Sequence, residues 1–236
     1  MPTTSDHTSK QFDAELEALR ARVLQMGGQV EEQIKLALEA LLSADLEACE
    51  KVERNDHLVN AFEVEIDEDV STIIARRQPA AGDLRMLMTV VKTITDLERI
   101  GDEAAKIARM AKLIYSGDRL RAPRMVEVKR MSQIALGMLR KSLDAFARLD
   151  LASSADVVRE DRTVDEEFRG VIRQLITFMM EDPRTISVSL ELLFIAKAIE
   201  RIGDHAKNIS EYVIYMVKGK DVRHTTLEEI EKEVAS

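Results

Sequence analysis

Apolar residues along this chain keep the three-to-four spacing of amphipathic helices, and they keep it over long stretches. Leu16, Leu19, Val23, Met26, Val30, Ile34, Ala37 and Leu41 predict one long first helix. Asp45 has the chemistry of an N-cap for a second helix, whose stripe is Val52, Val59, Ile66, Val70 and Ile73 and which ends near Arg76–Gln78, before Pro79. A third helix runs from about Pro79 to Tyr115, with Asp83-Leu84-Arg85 as its starting device. Its stripe of Leu97, Ile100, Ala104, Ile107, Ala111 and Ile114 is a heptad-like seam of the kind that packs helices at shallow angles. Ser116-Gly117-Asp118, followed by Pro123, is the best linker in the sequence.

The same plan then repeats. A fourth helix, about 124–148, places Met131, Ala135, Leu139 and Leu143 at an offset of 105 from Met26, Val30, Ile34 and Leu38, and Asp150-Leu151 repeats Asp45-Leu46 at that offset. The fifth helix runs to about Glu181, where Asp182-Pro183 supplies an N-cap followed by proline at the first helical position. In the sixth, Ile195, Ile199, Ile202, Ala206, Ile209, Val213 and Met216 match the third-helix seam at offset 102. The pentapeptide Glu98-Arg99-Ile100-Gly101-Asp102 recurs letter for letter as Glu200-Arg201-Ile202-Gly203-Asp204. The fall in offset places two or three extra residues near Ala80–Asp83 of the first copy, in a loop or first turn where insertion is cheapest. The expected fold is all-α: two tandem three-helix bundles related by internal duplication, 8–116 and 120–218, then a polar tail at 219–236 with room for one short helix.

Composition agrees with this pattern. Four prolines and nine glycines interrupt a chain rich in Ala, Leu, Glu, Lys, Arg and Met, with no Trp. The net charge of −9 argues against nucleic acid as a partner, because binding to a phosphate backbone comes from neutralising it with Lys and Arg. The lone Cys49 cannot form an intramolecular disulfide, and no apolar run approaches the roughly 20 residues of a membrane span or the pattern of a signal peptide. A reducing, cytoplasmic location is the expectation.

Each copy of the pentapeptide puts two carboxylates one helical turn apart, where like charges repel. Glu98 follows Leu87, Val91 and Ile94 by helical steps and Glu200 follows Leu193 and Ala196, so both pairs extend an apolar stripe. Asp161 falls where the stripe Val157, Val164, Phe168, Val171, Leu175 is due an apolar residue, and Asp165 lies one turn on; their repeat equivalents are Asp56 and Asn60. Each bundle can therefore bring two polar pairs together, Asp56/Asn60 with Glu98/Asp102 and Asp161/Asp165 with Glu200/Asp204. Oxygen-only ligands fit hard ions, namely Mg²⁺, Mn²⁺, Ca²⁺ or oxidised iron. The Glu-x-x-His pairs of ferritin-like di-iron sites are missing from the sequence. Gly101 and Gly203 accept a helix-interior cost of about 1 kcal/mol each, which implies close approach of a neighbouring helix or of a metal.

The competing reading is that Arg99, Arg201, Lys106 and Lys207 neutralise these acids in ordinary ion pairs, and that the glycines serve helix packing alone. His205 follows Asp204 and is either a nitrogen ligand or an exposed flanking side chain, since its repeat partner is Glu103. Cys49 reads as a core thiol. The basic segment Arg119–Arg130 and Lys218-Gly219-Lys220 read as solvated surface. A metal-dependent hydrolase and a purely structural scaffold stay open as functions.

Three stretches carry a more specific resemblance: Arg76-Arg77-Gln78-Pro79-Ala80-Ala81-Gly82-Asp83-Leu84-Arg85, the two pentapeptides in tandem, and Met180-Glu181-Asp182-Pro183-Arg184-Thr185. With them nearly the whole chain resembles the PhoU family of phosphate-transport accessory proteins. The resemblance implies two three-helix bundles, multinuclear metal sites, frequent dimerisation and a cytoplasmic regulator rather than an enzyme. It also implies coupling of a phosphate ABC transporter, through its ATPase subunit, to the PhoR sensor kinase, with repression of the phosphate-starvation response and membrane association only through those partners. The ligands it implies are Asp56, Glu98 and Asp102 in the first bundle and Asp161, Asp165, Glu200 and Asp204 in the second. Asn60 departs from the acidic pattern, and its neutral amide points to the second site as the tighter one.

Overall fold

The computed structural model describes residues 10–116 and 126–235. Three long helices form the first repeat, α1 (Lys10–Ser43), α2 (Leu46–Arg77) and α3 (Ala81–Tyr115), and three the second, α4 (Val126–Arg148), α5 (Leu151–Glu181) and α6 (Ile186–Lys218). A short helix, α7 (Leu227–Ala235), closes the chain. The expected linker from Gly117 to Pro123 and the first residues expected of the fourth helix lie outside the described residues.

The stripes from Leu16 to Leu41 in α1, Val52 to Ile73 in α2 and Leu97 to Ile114 in α3 are buried throughout, while Val91, earlier on α3, is half-buried. The turns that join α1 to α2 and α4 to α5 are copies of each other. Ala44 and Leu149 both take a left-handed backbone (φ 57°), and the next N–H, of Asp45 or Asp150, returns to the carbonyl of Ala40 or Ala145 at 3.0 Å. Asp45 then caps α2 through the N–H of Ala48, and Asp150 caps α5 through those of Ala152 and Ser153. Pro79 does not open α3: Gln78 ends α2 in a left-handed conformation, and α3 starts at Ala81. Pro183 opens a single 3₁₀ turn capped by Asp182 before α6.

The two bundles do not keep separate cores. One apolar cluster runs through all six long helices, because α3 and α6 lie against each other along their lengths and α1 meets α4. Asp96 of α3 pairs with His205 of α6 and Glu103 with Arg201, so the two helices run antiparallel and the repeats are related by a pseudo-twofold axis. α3 is consequently buried on two faces. Its second face is Thr89, Thr93, Asp96, Ile100, Glu103 and Ile107, spaced four and three residues apart. α7 packs on α5 through a smaller cluster of Val158, Ile214, Val222 and Ile230.

Candidate functional site

The duplicated acids lie along the grooves between α2 and α3 and between α5 and α6. Asp161 and Glu200 are buried, Asp56, Glu98, Asp165 and Asp204 are half-buried, and Asp102 and Asn60 are exposed. The stripe argument therefore places the inner member of each pentapeptide pair well. It places the outer member too deep in the first repeat.

Electrostatics separate the two grooves. In the second, Lys207 Nζ donates to Asp161 Oδ2 at 2.7 Å, and Lys197 Nζ donates to both oxygens of Glu200 at 2.6 and 2.5 Å while lying over the Phe168 ring. In the first, the repeat equivalents of Lys207, Lys197 and Phe168 are Ala105, Thr95 and Glu63. Thr95 donates its hydroxyl to Glu63 at 3.1 Å, so a fourth carboxylate replaces the lysine-and-ring arrangement. Burial, and then the charges of Asp102 and Glu63, push Glu98 above the ordinary carboxylate range; burial and Asp102 do the same to Asp56. One Asp56 oxygen is buried without a hydrogen-bond partner. In the second groove burial, Glu200 and Asp161 push Asp204 up to about 6.

The residues of the first groove fit a hard cation in chemistry: oxygen donors, excess negative charge and an orphaned carboxylate oxygen. As the side chains stand, no three His, Cys, Asp or Glu among the described residues are gathered to hold one. In the second groove two ammonium groups, of Lys207 and Lys197, already pair with Asp161 and Glu200. The ion-pair reading thus holds for Lys207, whereas Lys106 and Arg201 turn to Glu103 instead, at 3.3 and 3.1 Å.

The glycines serve packing. A Cβ on Gly101 would meet Val59 Cγ1 at 3.3 Å and Gln33 Oε1 at 3.4 Å, and one on Gly203 would meet Val164 Cγ1 at 3.5 Å. Side chains of two neighbouring helices lie beside each glycine, Val59 and Gln33 at Gly101 and Val164 and Met138 at Gly203.

His205 is neither exposed nor turned to the acids. It is buried, its Nδ1 hydrogen-bonded to Asp96 Oδ1 at 2.6 Å, and Asn208 Nδ2 donates to the same oxygen at 3.2 Å. Tyr212 joins this group: burial, then the Asp96 charge and hydrogen bond, raise its hydroxyl pKa. Cys49 is a buried core thiol whose pKa is raised by burial and Asp45. Sequence reasoning missed Glu63, Asp96 and Glu103. The first is visible only as an acid aligned with Phe168, the others as polar residues on the second stripe of α3.

The family model of the PhoU domain matches this chain twice, at residues 23–111 and 128–213, once on each three-helix repeat. The chain belongs to the PhoU family. The phosphate-specific transport system accessory protein PhoU of Escherichia coli K12 is 46% identical over 229 residues, 97% of this chain and 94% of that protein. The PhoU homolog of Pseudomonas putida is 48% identical over 97% of this chain and 89% of its own length. Among solved structures, PhoU from Pseudomonas aeruginosa superposes with a TM-score of 0.85 at 46% identity, covering 89% of this chain and all of that one. The phosphate transport system regulatory protein PhoU from Streptococcus pneumoniae gives 0.83 at 29%, covering 89% and 99%. Among its described residues this PhoU chain is all-helical with an internal repeat, and no helix there is long and apolar enough to cross a membrane.

Proposed function

We propose that this PhoU chain is a cytoplasmic negative regulator of phosphate uptake and of the phosphate-starvation response. It acts by contact with the ATPase subunit of a phosphate ABC transporter and with the PhoR sensor kinase, and not by catalysis. The observation that carries this reading is the identity of 46–48% over nearly the whole chain to proteins named as accessory proteins of phosphate-specific transport. A homodimer is part of the proposal, and attachment to the membrane runs only through partners.

The carboxylates give the reading its second element, hard-cation centres of Mg²⁺, Mn²⁺ or iron. Asp56, Glu98 and Asp102, with the Asn60 amide oxygen, would hold an ion in the first groove, and Asp161, Asp165, Glu200 and Asp204 in the second. A bound ion would supply the positive charge that Asp56 and Glu98 are short of. The Asn60 amide pointed to the second groove as the tighter one. The lysines on Asp161 and Glu200 turn that comparison round, because an ion there must displace two ammonium groups.

Crosslinking in phosphate-replete cells tests the contact reading. The transporter ATPase or the sensor kinase is expected on this chain; recovery of neither, with the chain present at normal level, overturns it.

A further inference from the structure

A cavity of about 590 Å³ opens between α5, α6 and the C-terminal segment. Its wall is built, not incidental. Gly219 ends α6 at φ 74°, and the chain then folds back under Asp221, which accepts the Arg223 backbone N–H at 3.0 Å and the Arg223 side chain through Nε and Nη2. Val222 and Ile230 anchor the returning segment against Val158 and Ile214, and Arg159 ties α7 to α5 through Glu231. His224 keeps a left-handed backbone of φ 67° at the cavity edge, a conformation unfavourable for a residue that carries a side chain.

The lining is rich in donors. Arg162, Lys207 and Arg223 face it with His224, against the carboxyls of Asp161 and Glu211. Asp161 is already taken by Lys207. Glu211 lies within the positive charge of Lys207 and Arg223. Arg162 has no ion-pair or hydrogen-bond partner among the described residues, Lys207 spends one of its three N–H groups on Asp161, and Arg223 keeps Nη1 unspent. Unspent guanidinium donors beside an ammonium match the fork geometry of a phosphate. The volume lies within the range of about 300–1,000 Å³ typical of small-molecule sites, so there is room for more than a bare phosphate. Tyr212 and Leu227 supply an apolar wall for such a body.

We propose that this cavity binds a phosphate-bearing small anion, as inorganic phosphate or as a phosphorylated metabolite of nucleotide size. The site goes beyond the regulatory reading and does not rest on it, although Asp161 borders both this cavity and the acidic groove.

Titration calorimetry on the full chain tests it, with chelator present so that no bound ion can bridge phosphate to the carboxylates. Inorganic phosphate, AMP, ATP and adenosine are the probes. Saturable binding of phosphate or of the nucleotides is expected, with none of adenosine, and Arg162→Gln and Arg223→Gln should each weaken it roughly tenfold or more. Arg162 is exposed and unpaired, so its variant is free of the folding role that Arg223 has through Asp221. Tighter binding of AMP or ATP than of phosphate assigns the site to a phosphorylated metabolite; the reverse assigns it to inorganic phosphate. Absence of saturable binding by any phosphate-bearing probe overturns the proposal. So does binding that survives Arg162→Gln, or that falls equally in the surface control Arg54→Gln.

Discussion

Replacing Asp96 by alanine removes the acceptor on which the contact between the two PhoU repeats converges. Asp96 is 5% exposed and accepts from His205 at 2.6 Å and Asn208 at 3.2 Å, with Tyr212 hydrogen-bonded beside them. Hydrogen bonds to a charged group contribute about 1.5–3 kcal/mol each. Leaving the buried His205 and Tyr212 donors and the half-buried Asn208 donor without this acceptor costs about 1–3 kcal/mol for each group. Asp96→Ala should therefore lower stability by about 3–5 kcal/mol, read as a fall in the urea midpoint with little change in slope. The double variant Asp96→Ala/His205→Leu should recover a large part of the loss, since it leaves fewer orphaned donors. The fold tolerates alanine at the related place: Ala198, the pseudo-twofold equivalent of Asp96, is fully buried. A loss below about 1 kcal/mol for Asp96→Ala, or no recovery in the double variant, would refute the view that this polar group holds the repeats in register.

Asp204 at about 6 and Glu211 at about 7 lie above their unfolded values of 3.8 and 4.5, so the folded chain binds their protons more tightly than the unfolded chain. Their ionisation costs stability, a penalty absent below about pH 4, growing from there to about pH 7 and complete above it; metal-free protein should be more stable near pH 5 than near pH 8, by about 2–5 kcal/mol. Asp221, held at about 2, acts below this window and does not mask the trend. Thermal unfolding across that range checks the sign, and greater stability at the alkaline end contradicts it. Gly203→Ala should stabilise by about 0.5–1 kcal/mol, since its Cβ meets Val164 at ordinary contact distance, while Gly101→Ala, tighter against Val59 and Gln33, should gain less. Neither should change Mn²⁺ uptake, and a folded glycine variant that loses it would return the glycines to the ion. Lys197→Gln/Lys207→Gln should raise the Mn²⁺ affinity of the second groove at least about tenfold, since it removes two positive charges from the ligand positions. Unchanged affinity by calorimetry would show that these ammonium groups do not compete with an ion.

The helices were legible in the sequence because their signals are local. Each stripe recurs within one or two turns, and Asp45, Asp150 and Asp182 cap the helices they precede. The duplication added a second reading of every element, so that α6 could be aligned on α3 residue by residue. What stayed hidden depends on contacts between distant segments. The apolar seam of α3 is visible as one stripe, but the second stripe through Thr89, Thr93, Asp96 and Glu103 reads as polar and solvated until α6 is laid against it. His205 was misplaced for the same reason: its partner is 109 residues away. Glu63 carried no signal by itself, since an acid on α2 is ordinary until Thr95 and Glu98 are found beside it. The docking of α7 rests on Val222, Leu227, Ile230 and Val234, too few residues to stand out in a polar tail.

The role proposed for this PhoU chain is repression of the phosphate-starvation response. Expression of a phosphate-starvation reporter in phosphate-rich medium, compared between the parent strain, a deletion of this gene and the deletion complemented with the full chain, tests it most directly. High expression in the deletion and silence after complementation is the result predicted. A deletion strain in which the reporter stays silent would contradict the account.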